Sequence, residues 1–159
     1  MIAYSTAVFN TLKFIHVLAA IGWVGGGAFI QVYATRVSKQ NDPKKMSALA
    51  ADLEVLGKTY FTPLSLAVIV AAVALVAYAP QWNFTDTWIL IGIIGYAATL
   101  VTGAGFIGPE AGRLSKLAAE RPPEDPEIQR RIRRIFVVSR VDLVVLVIVI
   151  LDMVVKPGT

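Results

Sequence analysis

His16 is the only histidine in this chain; three methionines accompany it and there is no cysteine. That inventory removes disulfides, iron–sulfur clusters, covalently attached c-type haem and thiolate metal sites together, and a multi-histidine metal centre within one chain goes with them. His16 lies inside a long apolar run, where an ionisable side chain is costly and generally turns toward the interior of a helix bundle. At 100° per residue, Ala20, Trp23, Gly27 and Ala34 share its helical face, each within about 40° of it. Small residues beside one flat aromatic leave room for something planar or for a closely packed helix. Three roles fit: a structural hydrogen bond across the bundle, axial ligation of a b-type haem, or proton relay and substrate binding.

The last apolar run supplies candidate partners. Asp152 and Met153 fall about 5 Å below the membrane boundary from which His16 is about 10 Å deep. A neutral His16 donating one ring N–H to Asp152 would keep its other nitrogen for iron, and Met153 is a candidate second axial ligand. The alternatives are that Asp152 caps the helix near the headgroups beside Lys156, and that Met153 faces lipid. Arg140 and Asp142, two residues apart, do not face each other on a helix. Arg140 can extend to the headgroups, whereas Asp142 needs a donor from another helix, as a structural hydrogen bond or as a proton carrier. Asp52, Glu54 and Glu110 are read as solvated. Gly22 with Gly26, and Gly95 with Thr99 and Gly103, form small-residue ridges that permit close helix contact within the bundle or between protomers; Gly108 and Gly112 continue that spacing.

These residues need a membrane-embedded scaffold. The chain has 159 residues, 56% hydrophobic and 16% charged, with a mean hydropathy of +0.65. Too little charge remains to cover a water-soluble domain or to keep a chain disordered. Four apolar runs, at about 8–34, 60–79, 88–107 and 135–155, match the ~20 residues a bilayer-crossing helix requires. Alternating β patterning is missing, so the expected fold is all-α: a polytopic membrane protein, one four-helix transmembrane domain with helical extensions at about 36–58 and 108–134. Thirteen of the fifteen lysines and arginines lie around those two segments, leaving Lys13 and Lys156 on the other side. The positive-inside rule then places both segments in the cytoplasm and both termini outside. No cleavable signal is evident.

Asp42-Pro43 and Asp125-Pro126 each read as a cap followed by a first-turn proline. The first starts a helix with Met46, Leu49, Leu53 and Leu56 on one face, bending at Thr62-Pro63 into the second span. The second starts a basic interfacial helix, Ile128, Ile132 and Ile135 opposite Arg130, Arg131, Arg133 and Arg134. Anionic lipid at the cytoplasmic face is the expected partner of that helix and accounts for the +4 net charge without nucleic acid. Tyr4, Tyr78, Trp82 and Trp88 are expected in an outer aromatic belt, and Tyr33, Tyr60 and Phe136 in an inner one. The short segment 80–86 is expected to make the second and third spans antiparallel neighbours.

Lys13, His16, Trp23, Gly25 and Gly26 together resemble the first helix of a loose group of small bacterial membrane proteins. The group includes HemJ-type protoporphyrinogen oxidases, the membrane domain of copper-resistance protein D, and an uncharacterised integral membrane family. Length, span layout and the ending Asp-Met-Val-Val-Lys-Pro at 152–157 are most similar to the last of these. In HemJ-type proteins the corresponding histidine is implicated in haem b binding, so the resemblance implies His16 as an axial ligand. The HemJ Leu-Pro-Arg after the first helix and its lysine in the third are missing here. Copper sites favour several His, Met or Cys ligands, which this chain lacks. The expected function is therefore a b-type haem protein of the bacterial inner membrane, acting in electron transfer or, if an enzyme, as a haem-dependent oxidoreductase. Its redox partner is unspecified, and ligands pooled across a homodimer would complete a six-coordinate iron. The alternatives are a non-catalytic scaffold or accessory subunit, and a small proton-coupled transporter.

Overall fold

The Asp-Pro pairs start helices as expected. In the computed structural model, which describes residues 5–158, the Asp42 carboxylate accepts from the backbone N–H of Lys44 and Lys45, at 3.0 and 3.3 Å. Asp125 accepts from that of Glu127, at 2.8 Å. Each proline follows at the first helical position, where its missing N–H costs nothing. The elements are α1 (Thr6–Ser38), α2 (Pro43–Leu56), α3 (Thr62–Tyr78), α4 (Thr87–Leu100), α5 (Gly108–Glu120) and α6 (Pro126–Val155). Tyr4 lies outside the described residues.

α2 and α3 form one rod, as do α4 and α5, each interrupted by a wider π-type turn over Gly57–Phe61 and Val101–Ile107. There Thr62 N–H reaches back to Gly57 O and Gly108 N–H to Gly103 O. Both turns immediately precede a proline, Pro63 and Pro109. A helix-interior proline lacks its donor and collides with the carbonyl four residues earlier, and one extra residue in the turn relieves that collision. The bend expected at Thr62-Pro63 is this bulge; the second, at Gly108-Pro109, was not foreseen.

Thr6–Ser38, Pro43–Tyr78 and Thr87–Glu120 are long and apolar enough to cross a membrane, and their apolar stretches are mostly exposed on the isolated chain. The fourth expected span belongs to a single 30-residue helix, α6, set apart from the other three by Arg140, Asp142 and Asp152.

α1 packs most extensively along α3, α4 packs along α6, and α6 packs on α1. The closest packing therefore runs α3–α1–α6–α4, and α3 and α4, joined by the 80–86 turn, meet through side chains across the space between them. Glycines explain the pairing. A Cβ on Gly26 would meet the Tyr60 ring at 2.8 Å, and one on Gly22 the Leu64 side chain at 3.1 Å; the Tyr60 hydroxyl donates to Gly22 O at 2.9 Å. Gly92 and Gly95 play the same part for α4 on α6, beneath Met153 and Val149. Gly22, Gly26 and Gly95 thus serve contacts within the chain, whereas nothing lies within 4 Å of a Cβ built on Gly103 or Gly112.

The best-packed region is at the basic end. Ile128 and Ile132 are wholly buried against Met46, Leu49 and Leu114. The isoleucine stripe therefore meets protein where an interfacial position on anionic lipid was expected. Amphipathic spacing identifies a buried face without saying what buries it, and here α2 and α5 supply the partner. Glu110 corrects a second expectation: it is buried at 4% exposure, accepting from Arg131 Nη1 at 2.6 Å and facing Arg113 at 3.5 Å. Arg131 also grips Glu127 at 2.8 Å and holds that carboxyl below the usual glutamate value. The aromatic belts are thinner than expected: Trp88 and Phe136 are buried, and the Tyr60 hydroxyl serves a helix contact.

Two substitutions test this packing by thermal melting in detergent. Gly26→Leu should cost about 1–3 kcal/mol by overpacking α1 against α3, whereas Gly25→Leu, with nothing within 4 Å of its Cβ position, should leave the midpoint nearly unchanged. Glu110→Ala should cost about 2 kcal/mol through the loss of a buried charge-assisted hydrogen bond, with no change in helix content before melting.

Candidate functional site

His16 projects from α1 onto α3, with its Nδ1 3.0 Å from Val68 O. A carbonyl can only accept, so Nδ1 carries the proton and Nε2 is left for another partner. The imidazole is half-buried and lines an apolar cavity of about 460 Å³ with Ala20, Trp23, Ile89, Tyr96 and Met153. Lys13 and Lys156 line the same cavity, toward the end remote from the basic layer. Lys156 Nζ lies over the Trp82 and Trp88 rings, 4.6 and 5.0 Å from their centroids.

The sequence-predicted residues separate. Asp152 does not hold His16, because Val68 O has that place. Its carboxylate is buried, and neither oxygen has a hydrogen-bond partner. Met153 borders the histidine cavity and its terminal methyl packs on Gly92. Adjacent helix residues point about 100° apart, so the two could not both face His16. Trp23 lines the cavity as expected; Gly27 lines a second one, and Ala34 belongs to the core at the basic end.

That second cavity, of about 380 Å³, lies between the two π turns and is lined by Gln31, Ser65, Thr99, Ser139 and Asp142 among mostly apolar neighbours. Arg140 is exposed and Asp142 half-buried. Asp142 takes no donor from another helix among the described residues, against expectation. Gln31 Nε2 donates to Phe136 O at 3.4 Å, and its buried Oε1 has no partner.

Trp23 and Leu146 line both cavities. Between them, the Tyr96 hydroxyl on α4 meets Ser65 Oγ at 3.1 Å and Ser65 O at 3.3 Å. Tyr96 also sets its ring edge-on to Trp23, 5.9 Å between centroids. This bridge joins α3 to α4 and lies between the two cavities. Tyr96 and Gln31 were missed although each is a polar side chain inside an apolar run; the carbonyl of Val68 has no sequence signal.

A family model described as a predicted integral membrane protein (DUF2269) matches residues 10–157. No curated protein and no solved structure matches the chain.

Tyr96→Phe removes both contacts to Ser65 while keeping the ring. It should destabilise the protein by about 1 kcal/mol and shift Trp23 emission, read as the difference spectrum against Trp23→Phe backgrounds. An unaltered Trp23 spectrum would show that the partition does not depend on the hydroxyl.

Proposed function

We propose, for a chain that belongs to the family of predicted integral membrane proteins DUF2269, that it is a b-type haem protein mediating electron transfer or redox chemistry in the membrane. One observation carries the reading: His16 is fixed as the Nδ1–H tautomer by Val68 O, beside a cavity of about 460 Å³. A backbone carbonyl on the far ring nitrogen is the usual support for a histidine that ligates a metal through the near one.

The other residues fit a haem b. The lining is apolar, as a porphyrin face requires, and Lys13 and Lys156 offer cations to two propionates. Met153, on the same cavity, would be the second residue to hold the iron, and Trp23 would give a flat wall. When bound, haem b supplies reversible one-electron transfer, while the chain sets ligation, burial and hydrogen bonding. The likeness of Lys13, His16, Trp23, Gly25 and Gly26 to HemJ-type and copper-resistance membrane domains points the same way.

The topology proposed with this function has four spans, with the latter part of α6 as the fourth, in a bacterial inner membrane. Both termini lie outside, because the basic residues gather at the opposite end of the bundle. The buried core there supports helical extensions in the cytoplasm.

The test is optical. Protein purified in detergent after expression with haem supplied should show a Soret band that shifts on dithionite reduction, and His16→Ala should abolish or displace it. Colourless protein of full helicity in both forms would overturn the proposal and leave a non-catalytic scaffold or accessory subunit.

A further inference from the structure

The haem reading makes no use of the second cavity, and its chemistry is different. Thr99 Oγ1 already donates to Tyr96 O at 2.9 Å, and Thr62 Oγ1 to Gly57 O at 2.8 Å. Lys58, at one edge, is held by Glu54 at 2.8 Å. What remains open is acceptor capacity. Asp142, on the cavity wall, has no partner among the described residues; Gln31 Oε1, although also unpartnered, is closed off inside the protein.

A carboxylate in an apolar chamber is costly until a cation or several donors meet it. Glu54 adds a second negative group to the lining, against the single cation of Lys58. The rest of the wall, including Phe61, Leu143 and Leu146, is suited to an apolar body. We propose that the cavity between the π turns binds an amphipathic amine in its ammonium form, with the nitrogen against Asp142 and the hydrocarbon or aromatic part along the leucines and Phe61. The volume of about 380 Å³ is within the range of small-molecule sites. The site is separate from that of His16, with Tyr96, Ser65 and Trp23 between them.

The experiment is calorimetric titration of 2-phenylethylammonium into the detergent-solubilised full chain, with 2-phenylethanol as the neutral analogue. Wild type should bind the ammonium at least about tenfold more tightly than the alcohol. Asp142→Asn, nearly the same in shape, should erase that preference. His16→Ala should bind as wild type does, so this outcome stands or falls independently of the haem. Equal affinity of wild type and Asp142→Asn for the ammonium, equal binding of ammonium and alcohol by wild type, or no binding of either would overturn the proposal. Circular dichroism confirms that each variant compared is folded.

Discussion

A helix carbonyl keeps a second lone pair after its own ladder bond is made, and the polar organisation of this bundle depends on that spare acceptor. His16 on α1 uses Val68 O of α3. Tyr60 uses Gly22 O, Tyr96 uses Ser65 O, and Gln31 uses Phe136 O of α6. In lipid no water stands ready to satisfy a donor, so an imidazole, a phenol or an amide must find protein. A backbone carbonyl is the partner every neighbouring helix provides. The Tyr60 bond crosses an interface where Gly22 and Gly26 bring the backbones close, so there the small residues and the polar ones act together.

The same requirement divides the interior by chemistry. Several donors are met by carbonyls, while the buried groups without a partner are Gln31 Oε1, both oxygens of Asp152, Ser47 Oγ and Trp88 Nε1 among the described residues. Lys13 and Lys156 line the cavity beside His16, and the Tyr96–Ser65 bridge lies between the two spaces.

Much of the architecture was legible because bilayer thickness and charge asymmetry act on composition alone. Helix positions, both aspartate caps and the inward setting of His16 followed from residue type and period. Partner choice did not. Asp152 was a reasonable mate for His16 by depth, yet the angular offset between Asp152 and Met153 lets only one face the cavity, and the actual acceptor is a main-chain atom that any residue would offer. Glu110 looked solvated because Arg131, its partner, is 21 residues away in sequence. The isoleucine stripe of α6 showed its periodicity, but the α2 and α5 surfaces that cover it become neighbours only after two rods have folded back. A short link between two spans constrains the ends of the helices, and the contact between α3 and α4 is made by side chains, Tyr96 on Ser65.

The π turns carry one consequence of their own. An additional residue within a helical rod rotates everything beyond it by about 100°, so each rod has two independent angular settings. The face of α2 that meets Ile128 and Ile132 need not align with the face of α3 that meets α1, and the same freedom separates α5 from α4. Packing at the basic end and packing in the bilayer can thus drift separately over sequence change, with each bulge acting as a clutch between them.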